Sequence, residues 1–224
     1  MDRSEALQRS YDRVTPEYAA RFFDELAHKP LDRALLDSFA EQVPRSGPVA
    51  DVGCGPGQIG RYLWGRGLDV VGVDLSPAMV AQAAQLTPEI PFRQGNMLAL
   101  DVPDGAWAGI VAFYSAIHLA PAELPRGLGE FYRVLQPGGL LLLSFHIGTE
   151  PVHLDEWWGY AVDLDFYFYD RATVEAALAG AGFTLAAYVE RPPYAPLEHP
   201  TRRMYLLARK PLNSPRRNEG REDY

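Results

Sequence analysis

The chain of 224 residues is short of several things, and each shortage closes off a class of function. Its single cysteine, Cys54, excludes a disulfide framework and a cysteine-cluster metal site. The longest strongly apolar run, Leu140–Leu143, falls far short of a membrane span. There is no block of like charge, and 21 basic against 29 acidic residues leave a net charge of −8, which makes nucleic acid a poor partner. The opening segment MDRSEALQRS is polar and acid-bearing, unlike a signal or transit peptide. What is present is 47% hydrophobic and 12% aromatic, enough for one well-buried domain and too little for two full-sized ones. A soluble, cytoplasmic protein without a membrane partner is expected.

Residues 1–45 read as a helical cap. Thr15-Pro16 has the form of an N-cap with proline at the first helical position. Tyr18, Phe22 and Leu26 then form an apolar stripe, and Leu31, Leu35, Phe39 and Val43 repeat it. The period changes after Pro48. Val49–Val52, Asp69–Asp74, Trp107–Tyr114 and Leu140–Phe145 are continuous apolar runs of the kind buried on both faces of a parallel sheet. A strand is also expected within 91–94. Helical stretches alternate with the strands: Gln58–Trp64, Pro77–Gln85 behind the cap Ser76, and Glu123–Leu135, closed by a turn at Gln136-Pro137-Gly138-Gly139. A helix over Asp170–Ala181 and an antiparallel pair, Phe183–Glu190 with Arg203–Arg209, complete an α/β doubly wound sheet over 46–210. The polar tail 211–224 is expected to be disordered.

The strongest chemical signal is Val49-Ala50-Asp51-Val52-Gly53-Cys54-Gly55-Pro56-Gly57. Glycines where a strand meets a helix let backbone N–H groups approach a ligand closely. Asp74, at the end of the next strand, is placed to accept hydrogen bonds from two ribose hydroxyls. Gly55-Pro56-Gly57-Gln58-Ile59-Gly60 also matches G-x-G-x-x-G, so a nicotinamide-dependent oxidoreductase is one reading. Asp51 counts against it, since a carboxylate there repels a pyrophosphate and suits a ligand carrying an ammonium group.

VADVGCGPG, VVGVDLSPAMV, FRQGNMLAL, GIVAFYSAIHL and FYRVLQPGGLLLLSF, in that order, resemble a class I S-adenosylmethionine-dependent methyltransferase of the small-molecule type. The resemblance covers roughly residues 10 to 210. It implies a Rossmann-like sheet of seven strands with the last inserted antiparallel, and S-adenosyl-L-methionine as cofactor. It assigns Asp51, Gly53, Gly55 and Gly57 to the methionine part and Asp74 to the ribose. Leu75, Met79, Asn96 and Met97 fall to the adenine, Asn96 through its amide oxygen. Tyr11 and Tyr18, on helices that close over the cofactor in similar enzymes, come near the sulfonium. A non-catalytic S-adenosylmethionine binder with the same fold would show the same motifs.

Methyl transfer to oxygen or nitrogen is an in-line displacement that needs a base only when the nucleophile must lose a proton. His118, after the fourth strand, is the candidate base; His146 and His153 are candidate acceptor-binding groups. The segment 147–170 stands outside the bare cofactor-binding core. There Trp157 and Trp158 are expected to wall a small-molecule pocket, while Val162, Leu164, Phe166 and Phe168 alternate as a half-buried strand completing the core. Asp155, Glu156, Asp163 and Asp165 match no metal-ligand spacing, so no metal is expected. Arg191, Arg202 and Arg203 read as solvated, with contact to an anionic acceptor as the alternative. Phe113-Tyr114-Ser115-Ala116 lacks the Asn/Asp-Pro-Pro-Tyr/Phe pattern that marks methyltransferases acting on adenine or glutamine amino groups.

Overall fold

The structure, a computed structural model, describes residues 3–196 and 198–212. Seven strands form one sheet: β1 (Val49–Val52), β2 (Val70–Asp74), β3 (Phe92–Gln94), β4 (Trp107–Phe113), β5 (Leu135–His146), β8 (Thr184–Arg191) and β9 (Arg203–Arg209). Their order is β3-β2-β1-β4-β5-β9-β8. The first five pair in parallel, and β9 lies antiparallel between β5 and β8. The continuous apolar runs are explained by burial on both faces. Along β5, Leu140 and Leu142 enter one core with Leu36, Phe39 and Leu63, from α2 (Pro30–Gln42) and α3 (Gln58–Trp64). Leu141, Leu143 and Phe145 enter the other, with Leu128 and Phe131 of α5 (Leu124–Val134) and Val174 and Leu178 of α6 (Arg171–Ala181). Parallel pairing brings the C-terminal ends of β1, β2 and β4 to one edge, and the site forms there. No helix of the described residues is long and apolar enough to cross a membrane.

Three local expectations are corrected. No helix starts at Thr15: α1 runs from Arg3 to Phe22 with Pro16 inside it, and the Thr15 hydroxyl donates back to the Tyr11 carbonyl (2.8 Å). The proline removes one ladder bond, but Val14 packs against Val162 and Leu164, and that burial holds the helix through it. Of the second apolar stripe, Phe39 and Val43 are buried as expected, whereas Leu31 and Leu35 are only half-buried and Asp32, Leu36 and Ala40 of α2 fill the buried face beside them. Gln136–Gly139 is not a turn. It is an irregular stretch within β5, where the register passes from Trp107↔Leu135 to Gly109↔Leu140.

The aromatic segment forms a hairpin outside the main sheet, β6 (Val152–Trp157) with β7 (Tyr160–Phe166). Trp158 and Gly159 at its tip both have positive φ, as a two-residue turn of matching twist requires. The expected alternation holds through Val162, Leu164 and Phe166, but the buried face packs mainly on α1. Phe168 lies past the strand's end. The antiparallel hairpin and α1 therefore stand together over the sheet edge. Beyond Leu212 the tail lies outside the described residues.

Candidate functional site

At the end of β1 the backbone turns through Gly53 (φ +74°) and Gly55 (φ +52°) into α3. A Cβ on Gly53 would stand 2.2 Å from the Ser115 Cβ, so the loop passes too close to the end of β4 for any side chain there. Asp74 closes β2 and ties the loop from the side: its Oδ2 accepts from the Gly55 N–H (2.8 Å) and its Oδ1 from the Ser76 N–H (2.9 Å). Asp51 is 1% exposed, and its Oδ2 accepts from the Gly60 N–H (2.9 Å). Burial pushes the Asp51 carboxyl up to about 7, and the nearby Asp74 charge adds to the shift. Burial also raises Asp74. Neither carboxylate has an ion pair among the described residues. One buried and one half-buried carboxylate without a cation form a seat for a ligand that brings positive charge.

They open into a cleft at the sheet edge, roofed by α1, whose empty space together with its solvent-open mouth is about 1040 Å³. Tyr11, Tyr18, Asp51, Gly53, Gly55, Asp74, Leu75, Met79, Asn96, Met97 and His118 line it. Gly57 does not; it caps α3 in a left-handed conformation, close against Phe92. The Asn96 Oδ1 accepts from the Leu98 N–H (2.9 Å), so the amide oxygen expected to meet an adenine amino group is already engaged, and the Asn96 NH2 is the end with donors to offer.

His118 lies on a short 3-10 turn after β4 and is 8% exposed. Its Nδ1 is 2.9 Å from the Asp165 carbonyl oxygen, which can only accept, so Nδ1 carries the hydrogen. Nε2 is then the acceptor for the Tyr11 hydroxyl at 2.7 Å. Burial holds the imidazole neutral, its pKa pushed down to about 4.

The other candidates lie elsewhere. His146 packs against the rings of Tyr114 and Phe168, with Nδ1 2.6 Å from the Thr201 hydroxyl. His153 is exposed on β6, against Asp165 and Asp155. Trp157 and Trp158 stack on each other and pack on Tyr18, on the flank of α1 rather than in the cavity wall. Arg191 and Arg203 are not solvated: they are 5% and 3% exposed, and Arg191 pairs with Asp32 and Glu198. Arg202 is exposed and pairs with Glu190. The cavity also takes in Arg3, Gln58, Tyr114 and Glu123, which no sequence motif marks as site residues. Arg3 donates to the Glu123 carboxylate and the His118 carbonyl, a contact 115 residues apart in sequence that no local pattern announces.

A family described as "Methyltransferase domain" matches residues 49–139, the glycine loop through the start of β5. A malonyl-[acyl-carrier protein] O-methyltransferase of Enterobacter lignolyticus is 26% identical over 85% of this chain and 74% of its own length. A demethylmenaquinone methyltransferase of Thermus thermophilus is 35% identical over 50% of this chain, and the matched part spans about half (53%) of that relative. Among solved structures, the [4+2]-cyclase SpnF superposes with a TM-score of 0.71 at 21% identity, covering 94% of this chain and 97% of the cyclase. That likeness concerns the fold alone. Fold and cavity define a cofactor-binding α/β protein of Rossmann-like type. The methyltransferase-domain match over residues 49–139 and the methyltransferase relatives support a class I S-adenosylmethionine-dependent methyltransferase with S-adenosyl-L-methionine as cofactor.

Proposed function

We propose that the chain transfers a methyl group to an oxygen or nitrogen atom of a small-molecule acceptor, with Tyr11 and His118 handling the acceptor's proton. The observation that carries this reading is the Tyr11–His118 hydrogen bond inside the cavity, whose direction is set by the Asp165 carbonyl. S-adenosylmethionine supplies a methyl group on a positively charged sulfur. Asp51, Gly53 and Gly55 are placed for its amino-acid part, Asp74 for the ribose, and Leu75, Met79, Asn96 and Met97 for the adenine. Tyr11 and Tyr18 cover the cavity from α1 and exclude water. His118 is neutral at physiological pH and takes up the proton that the acceptor loses through the Tyr11 hydroxyl. Its low basicity suits a proton that becomes acidic as the new bond forms. The helical cap over 1–45, together with the hairpin within 147–170, would control access to the methyltransferase core over 46–210. The two relatives' names support the acceptor class: one names malonyl-[acyl-carrier protein], the other demethylmenaquinone.

The test is incubation with methyl-labelled S-adenosylmethionine and a small-molecule extract, followed by mass spectrometry for labelled products. The wild type is expected to form a product that His118→Ala forms about 10²–10⁴-fold more slowly. An equal rate in His118→Ala would remove the proposed pair. Absence of product from cofactor-binding protein, across extracts, would point to a binder without turnover.

A further inference from the structure

Gln58 opens α3 directly after the glycine loop and lines the cavity, yet it is 8% exposed and its Oε1 has no hydrogen-bond partner. An amide can be turned end for end, so its orientation needs a cause. Here the cause is Glu25: the Gln58 Nε2 donates to the Glu25 Oε1 (3.2 Å), and a carboxylate can only accept. Glu25 is itself held. Its Oε2 accepts from the Lys29 Nζ at 2.6 Å, and Lys29 reaches Glu198 at 3.2 Å. The amide nitrogen is thus fixed toward Glu25, and the acceptor end stays without a partner in a dry wall. Leaving a buried acceptor unpaired is costly, and a ligand donor would recover that cost. Asp51, also on the cavity wall, offers only acceptors as well once its carboxyl is ionised.

We infer that Gln58 is a binding residue for the α-ammonium group of the cofactor's amino-acid end, and that Glu25 is a positioning residue that keeps the Gln58 oxygen turned toward it. This rests on the reading of the cavity as the S-adenosylmethionine site. An ammonium has three donors and no acceptor, which matches a wall of acceptors. The acceptor's own N–H or O–H is the competing partner, and the test separates the two because it uses no acceptor.

The affinities of S-adenosylhomocysteine and of methylthioadenosine, which lacks the amino-acid end, are measured by calorimetry on wild type, Gln58→Met and Glu25→Gln. Gln58→Met keeps the length of the side chain and removes the acceptor. It is expected to weaken S-adenosylhomocysteine by about 10–100-fold, the range for a hydrogen bond to a charged group, and to leave methylthioadenosine within about twofold. Glu25→Gln frees the amide to turn and is expected to weaken the same ligand by a smaller factor, again without affecting methylthioadenosine. Methylthioadenosine binding also reports that each variant is folded. Unchanged S-adenosylhomocysteine affinity in Gln58→Met, or an equal loss for both ligands, overturns the assignment. A wild type that binds neither ligand would instead defeat the reading of the cavity, and the inference with it.

Discussion

Asp32 and Asp51 are buried to the same degree, 1% exposed each, but the protein treats them in opposite ways. Asp32 accepts from the Arg191 guanidinium (3.0 Å) and the Tyr205 hydroxyl (2.8 Å). Arg191 also pairs with Glu198, which further meets Lys29 and Arg203, and these contacts hold the Glu198 carboxyl down at about 2. Asp51 and Asp74 receive only backbone N–H groups, and both are raised. A buried carboxylate in a structural role is neutralised by the chain itself. One left bare costs stability and is worth keeping where a ligand brings the missing charge.

The contrast can be broken from either side. The largest effect is expected from Arg191→Met, which strands Asp32 and Glu198 without their shared cation. It should cost about 3–5 kcal/mol in denaturant unfolding. A cost under about 1 kcal/mol would mean that the cluster is not a network. Asp74→Ala should weaken cofactor binding by about 1–3 kcal/mol, the worth of lost charge-assisted hydrogen bonds. An unchanged affinity would place the ribose elsewhere. Asp51→Asn should also weaken binding, while leaving the ligand-free protein at pH 8 as stable as the wild type or more so. A large stability loss there would assign Asp51 a structural role like that of Asp32.

A further break lies in the pH dependence of ligand-free stability. His118 and His146, pushed down to about 4 and about 3, stay neutral in the fold while the unfolded chain takes up protons below about 6.5. They therefore lower stability as the pH falls from that point. Asp51 acts in the opposite sense: its folded carboxyl, near 7, takes up a proton before the unfolded one does, so it raises stability as the pH falls from 7 toward 4. Asp51→Asn should make acid destabilisation steeper across that window, as thermal unfolding at several pH values would show.

Much of this was legible in the sequence, because strand runs and the glycine loop are local signals. The order of helices and strands and the cavity positions of Asp51 and Asp74 follow from local spacing, the final antiparallel pair follows from its short connection, and the insertion of the last strand into the sheet came with the family resemblance. Pro16 misled because a proline can open a helix or lie within one, and only the distant packing of Val14 on β7 decides which. Arg191 and Arg203 misled because charge alone cannot announce burial; Asp32, 159 residues from Arg191, supplies the partner. The Trp157–Trp158 pair was visible as an aromatic cluster, but which face of α1 it would cover was not. Gln58 carried no signal at all, since its significance is an unpaired atom in the folded wall.

The most direct test of the bare-carboxylate account is calorimetry of S-adenosylmethionine binding near pH 6.5 in buffers of different ionisation enthalpy. At that pH Asp51 is largely protonated in the ligand-free protein, and an incoming cation should drive its proton off. The account predicts net release of a large fraction of one proton per cofactor bound, disappearing in Asp51→Asn. Binding with no net release, or with release unchanged in that variant, would contradict it.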